Sequence, residues 1–89
     1  MLEVSFSSSF RRAFKKRIKG NVDLEARFWQ KLEQFIVNPF DQSLKTHKLS
    51  GKLNNLWSFS IDYDVRILFY FTEDGNAVFV DIGSHDEVY

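Results

Sequence analysis

Trp57-Ser58-Phe59-Ser60-Ile61-Asp62-Tyr63, followed after Asp64 by Val65-Arg66-Ile67-Leu68-Phe69-Tyr70-Phe71, is the stretch that decides the fold. The first segment alternates strictly, with Trp57, Phe59, Ile61 and Tyr63 on one side and Ser58, Ser60 and Asp62 on the other. A period of two describes a strand with one buried face. The second segment is apolar or aromatic throughout except at Arg66. It runs into Thr72-Glu73-Asp74-Gly75-Asn76, whose Asp-Gly pair signals a tight hairpin. Ala77 to Ile82 is then the last strand of an antiparallel meander. Carried through all three strands, the alternation puts Trp57, Phe59, Ile61, Val65, Ile67, Phe69, Phe71, Val78, Val80 and Ile82 on the core face. The other face receives Ser58, Ser60, Asp62, Arg66, Leu68, Tyr70, Ala77, Phe79 and Asp81. That second face is mixed in character and is expected to lie open, with room for a ligand.

The apolar core face needs a cover, and the preceding residues supply one. Leu2, Val4 and Phe6 alternate as a strand over residues 2–6. Ser7, Ser8 and Ser9 offer N-cap oxygens to a helix running to about Lys19, where Phe10, Phe14 and Ile18 form one stripe and Gly20 stops it. Asn21 or Asp23 caps a second helix to about Val37. Its Leu24, Phe28, Trp29, Leu32, Phe35 and Ile36 fall within an arc of about 140° at helical periodicity. Asn38-Pro39 ends it, because the residue before proline avoids the α region. The short connection makes the helices an antiparallel hairpin. Lys45 to Leu49 is a further short strand candidate. The expected order is β-α-α-β-β-β, an α+β architecture with an antiparallel-rich sheet and a two-helix hairpin on one face. One domain over residues 1–89 is expected, without repeats or low-complexity segments.

Composition excludes several classes. At 44% hydrophobic and 17% aromatic, with ten Phe, the chain is too apolar to be disordered. Without Cys it has no disulfide framework and no thiolate metal site. Met1-Leu2-Glu3-Val4 lacks the basic start and apolar run of a signal peptide, and the longest apolar run, Ile67 to Phe71, is far too short for a membrane span. A cytoplasmic location without membrane association is the expectation. Net charge is zero, yet unevenly spread. Residues 1–20 carry six basic residues against Glu3 alone, and residues 62–89 carry seven acids against Arg66 alone.

Arg66 interrupts an apolar strand. It is either a surface arginine paired with Asp62, Asp64 or Asp81, or a guanidinium held rigidly to grip a phosphate with its planar fork. His47 lies between Lys45 and Lys48, and His85 follows the last strand. Imidazole titrates near neutrality and serves as general acid or base, although surface histidines without a role are common. The two show no metal-ligand spacing, so neither a metal nor another cofactor is expected.

Three segments together resemble the RelE/ParE toxin superfamily, closest to its YoeB-like and YafQ-like members. Lys45-Thr46-His47-Lys48-Leu49-Ser50-Gly51 is similar to the family's basic K-H-x-L-S/T-G passage. Leu56-Trp57-Ser58-Phe59-Ser60-Ile61 with Arg66-Ile67-Leu68-Phe69-Tyr70 resembles its W-S-x-x-I…R-L-V-Y core. Ile82-Gly83-Ser84-His85-Asp86-Glu87-Val88-Tyr89 is similar to its closing I-G-x-H-x-x-x-Y/F. The resemblance covers the whole chain and implies the toxin of a type II toxin–antitoxin pair, an endoribonuclease cutting mRNA in the ribosomal A site. By the same resemblance Arg66, His85, His47 and the terminal aromatic Tyr89 are its catalytic residues; the basic residues Lys45, Lys48, Lys52, Arg11, Arg12 and Lys15 are the expected RNA-binding set. It implies as partners the ribosome, mRNA and a cognate antitoxin, for which apolar grooves on the helical hairpin offer a seat. The basic residues of the first helix meet rRNA or an acidic antitoxin, or form a plain solvated face. Ser58 and Ser60 stand where some relatives are basic, Ser43 and Leu44 where some carry an acid, and the net charge is zero rather than positive. Two other readings therefore stay open: a ParE-like inhibitor of DNA gyrase, and a weakly catalytic member acting mainly as an antitoxin-binding protein. Codon preference, oligomeric state and which histidine is acid and which base are not legible.

Overall fold

A computed structural model describes residues 1–53 and 55–88, with Leu53 and Glu87 as backbone only. The elements are β1 (Val4–Phe6), α1 (Ser8–Arg17), α2 (Val22–Val37), β2 (His47–Lys48), β3 (Trp57–Asp62), β4 (Val65–Phe71), β5 (Ala77–Gly83) and α3 (His85–Val88), with 3-10 turns at Gln42–Leu44 and Gly51–Leu53. Both long helices start as the sequence requires. Ser7 Oγ accepts from the Phe10 N–H and Asn21 Oδ1 from the Leu24 N–H, each filling an orphan donor of the first turn. α1 ends earlier than the apolar stripe implies. The Ile18 and Lys19 N–H groups both donate to Phe14 C=O, the second across five residues, and this closes the helix end before Gly20 at φ +94° reverses the chain.

The sheet order is β1-β5-β4-β3-β2. β3, β4 and β5 form the expected antiparallel meander, while β1 joins β5 in parallel, pairing Val4 with Ala77 and Phe6 with Phe79. The sheet is thus mixed, with the first strand beside the last. The helices cover one face. Phe10, Ile18, Phe28, Leu32 and Phe35 meet Phe59, Ile61, Ile67, Phe69, Phe79 and Ile82 in a single core. Phe35 is its hub: it stacks on Phe59 at 4.7 Å and meets Phe69 and Phe79 edge-on. Burying such a ring contributes roughly 1.5–3 kcal/mol by area alone.

Four expectations need correction. The phase of β5 is reversed over its first half: Ala77 and Phe79 face the core and are fully buried, whereas Val78 and Val80 are only part-buried. The cause is a β-bulge. Phe69 pairs with Phe79 but Leu68 pairs with Asp81, so Val80 is an extra residue that shifts the alternation before Ile82 returns to the core. Tyr63, expected on the core side, is 85% exposed because it lies in the β3–β4 turn beyond a second irregularity between Ser60 and Asp62. Trp29, at the margin of the α2 stripe, is half exposed and leans edge-on against Phe28. The second sheet face is not simply open either. Ser58 and Leu68 are buried, and α3 packs against β4 and β5.

Candidate active site

Ser60, Asp62 and Arg66, polar residues of the second face, gather at one end of the sheet. There a hollow of about 750 Å³ opens between the β3–β4 turn, the segment leading into β2, the start of α3 and the polar side of α2. Arg66 stands on β4 opposite Ser60, and the pleat turns both toward this hollow. Arg66 is 8% exposed. Its Nη1 donates to Ser60 Oγ at 2.8 Å and to Asp62 C=O at 2.6 Å, and its Nη2 lies 3.4 Å from His85 Nδ1. The irregularity between Ser60 and Asp62 serves this arrangement, since it turns a main-chain carbonyl onto the guanidinium. The Ser60 hydroxyl donates to that same carbonyl at 2.8 Å.

Neighbouring carboxylates do other work. Asp62 Oδ1 accepts from Arg27 Nη1 at 2.7 Å and from the Tyr63 N–H at 2.8 Å. Asp64 Oδ1 accepts from the His85 N–H at 3.0 Å, which fixes the start of α3 to the β3–β4 turn. Asp81 Oδ1 accepts from the Ile82 N–H.

His47 reaches the hollow from β2, where it pairs with Ser58. Its Nδ1 lies 2.9 Å from Lys45 C=O. A carbonyl only accepts, so this nitrogen carries the proton and Nε2 is the lone-pair nitrogen of the neutral ring. Lys45 itself is left-handed at φ +53°, the one non-glycine residue with positive φ among the described residues. That conformation turns the chain out of the 3-10 turn and presents the carbonyl to the ring. His85 shows the opposite pattern. Arginine only donates, so in the neutral ring Nδ1 accepts and Nε2 bears the proton. Beside the hollow, the carboxyl of Asp41 is held below its usual range, chiefly by the Ser43 hydroxyl and then by the Ser43 N–H, with a smaller contribution from Lys31.

Three of the predicted catalytic residues, His47, Arg66 and His85, therefore share one hollow, and Lys45 lines it with them. Tyr89 lies outside the described residues. Lys48 is exposed on β2 and borders a separate recess with Leu49 and Val88, and Lys52 is exposed in the Gly51–Leu53 turn. Arg11, Arg12 and Lys15 are exposed on α1 and do not line the hollow; Arg11 borders an apolar groove with Phe6, Phe14 and Trp29 instead. Sequence reasoning missed the contribution of α2. Arg27, Gln30 and Lys31 form a stripe along its polar side and line the hollow. A pair of cations four residues apart was the available signal, but it is also what any solvated helix face shows. With Arg27, Lys31, Lys45 and Arg66 against Asp62, the hollow is cationic although the chain is neutral overall. Among the described residues no group of three or more His, Cys, Asp or Glu is arranged to hold a metal, and no helix is long and apolar enough to cross a membrane.

A family model described as bacterial toxin of type II toxin–antitoxin system, YafQ, matches residues 2–89. No curated protein matches the sequence significantly. Among solved structures, the chain is similar to a conserved hypothetical protein of Helicobacter pylori (TM-score 0.71, 24% identity, all of both chains covered). It is also similar to the YoeB/ParE toxin of Agrobacterium tumefaciens (TM-score 0.75, 14% identity, 94% of this chain and 99% of that one). A third similar structure is the DinJ–YafQ toxin–antitoxin complex of E. coli (TM-score 0.69, 16% identity, 99% of this chain and 97% of that one). These likenesses establish the fold.

Proposed function

The chain belongs to the YafQ family of bacterial toxins of type II toxin–antitoxin systems, and from that premise we propose that its cationic hollow cleaves ribosome-bound mRNA without a metal. The observation that carries the reading is the contact of Arg66 with His85 in the hollow that His47 also lines. A gyrase inhibitor, which acts by occupying a surface, needs no such acid–base set.

In this reading His47 is the general base. Its Nε2, the lone-pair nitrogen once Lys45 C=O holds the Nδ1 proton, takes the proton of a ribose 2′-OH. The 2′-oxygen attacks the adjacent phosphorus, the bond from phosphorus to the 5′-oxygen breaks, and a 2′,3′-cyclic phosphate remains. Arg66 keeps Nη1 on Asp62 C=O and turns Nη2 to the phosphate oxygens as charge grows on them. His85, standing beside the guanidinium, takes a proton from solvent and delivers one to the departing 5′-oxygen. Arg27, Lys31 and Lys45 hold the flanking phosphates, with Lys48 and Lys52 further along the strand. Tyr89 adds a terminal aromatic. Arg11, Arg12 and Lys15, away from the hollow, contact the ribosome rather than the reacting nucleotide. A cognate antitoxin neutralises the toxin.

The test is purified toxin on translating ribosomes, with the new mRNA ends mapped chemically. The reading expects 2′,3′-cyclic phosphate ends and no cleavage when the reacting ribose is replaced by 2′-deoxyribose. Intact mRNA together with inhibited DNA supercoiling by gyrase would select the ParE-like reading instead.

A further inference from the structure

We propose that Tyr63 is the stacking platform for the base next to the cleaved phosphate, a role that rests on the nuclease reading above. Tyr63 lines the hollow and is 85% exposed. Its ring contributes little to the core, and the β3–β4 turn would be served as well by a small polar residue. A large, rigid aromatic held out at the rim of a cationic hollow is the arrangement that unpaired RNA bases use for stacking, with phosphates held by the cations and the base by the ring.

The turn that carries Tyr63 is braced from three directions. Arg27 on α2 holds the Asp62 carboxylate, which also accepts the Tyr63 N–H. Arg66 on β4 holds Asp62 C=O, and Asp64 holds the His85 N–H. The platform is thereby tied to the two groups assigned to phosphate charge and leaving-group protonation. A base resting on the ring belongs to a nucleotide whose phosphate lies within reach of Arg66. Stacking then fixes the sugar, and with it the line of attack of the 2′-oxygen. Orientation of this kind counts heavily, because small misplacements of reacting atoms are costly.

Two variants separate stacking from greasiness and from the hydroxyl: Tyr63→Phe keeps the π face and loses the hydroxyl, and Tyr63→Leu keeps apolar bulk without a π face. Both side chains are solvent-exposed, so thermal melts should match the wild type. The measurement is toxin binding to ribosomes programmed with mRNA that carries 2-aminopurine in the A-site codon. Fluorescence quenching is followed alongside single-turnover cleavage. Expected are wild-type quenching and cleavage for Tyr63→Phe, and for Tyr63→Leu lost quenching with affinity weaker by roughly 5- to 150-fold, the range for removal of a stacked aromatic. Wild-type behaviour of Tyr63→Leu, or equal impairment of both variants, overturns the platform while wild-type cleavage leaves the nuclease reading standing. A wild-type toxin that neither quenches nor cleaves overturns both.

Discussion

Arg66→Ala is the substitution on which the nuclease reading turns, and its two effects can be weighed against each other. Arg66 is 8% exposed, and its guanidinium donates to Ser60 Oγ and Asp62 C=O and makes a longer contact with His85 Nδ1. The carbonyl keeps the Ser60 hydroxyl as donor, and His85 loses only a contact of 3.4 Å. The stability cost should be about 1–3 kcal/mol. Even a domain at the low end of natural stability, about 5 kcal/mol, would then retain about 2 kcal/mol and remain about 97% folded at 25 °C. Unfolding therefore accounts for a loss of only about 3% of the molecules. Removing a group that stabilises transition-state charge lowers the rate by roughly 10²–10³. The two effects differ by orders of magnitude, so a urea melt together with single-turnover mRNA cleavage on ribosomes separates them. Arg66→Lys, which keeps the charge but not the fork, should recover part of the rate. A folded Arg66→Ala toxin that cleaves within about threefold of wild type, against the roughly 10²-fold or greater loss expected, would refute the assignment.

The remaining expectations concern the histidines, the helix cation and the acid beside the hollow. His47→Gln and His85→Gln should each lower single-turnover cleavage by roughly 10²–10⁴, and in the pH–rate profile the first should flatten the acidic limb and the second the alkaline limb; the reverse pattern would exchange their roles. Arg27→Ala breaks an ion pair whose side chains are nearly half exposed, so stability should change by no more than about 1 kcal/mol. The same change should make the salt slope of RNA binding shallower by about 0.7, one phosphate contact on a single strand, and an unchanged slope would remove Arg27 from the RNA path. Asp41 is held ionised by Ser43, so its folded pKa lies below the unfolded value. It therefore stabilises above about pH 4, and that contribution is lost as pH falls through the folded value. Asp41→Asn should reduce the fall of the urea midpoint on acidification, and a parallel fall in both proteins would show that the Ser43 bonds contribute nothing to acid stability.

The strands and helices were legible because burial imposes a period, and the period fails at two irregularities, one before Tyr63 and one in β5. In Ala77-Val78-Phe79-Val80-Asp81-Ile82 both parities are apolar until Asp81, so pattern alone cannot phase the strand. Strict alternation sends Asp81 outward and drags Phe79 with it. The fold satisfies Phe79, Asp81 and Ile82 together by spending one residue on a bulge, which no periodic reading detects. Arg66 and the two histidines were singled out as candidates, Arg66 because it breaks an apolar strand and the histidines through the family motifs. Arg27 and Lys31 were not, because they obey their local pattern: cations on the polar side of an amphipathic helix are unremarkable until a sheet end is set against them.

That difference also resolves the charge. A nuclease for ribosome-bound mRNA is expected to be basic, and this chain is neutral. What a phosphate meets, however, is the local field and not the sum over the chain, since exposed charges more than about 10 Å away are largely screened. Four cations and one carboxylate line the hollow, and that carboxylate, Asp62, is already engaged by Arg27 and by the Tyr63 N–H. The acids of the C-terminal third are used locally as well. Asp64 anchors the His85 N–H, Asp81 meets the Ile82 N–H, and Asp74 accepts from the Thr72 hydroxyl in the β4–β5 turn. Of these, Asp64 fixes the β3–β4 turn beside the hollow, and the other two serve their own turn and strand. Zero net charge follows from that division of labour, and it predicts the salt dependence of a few close phosphate contacts rather than that of a broadly basic surface.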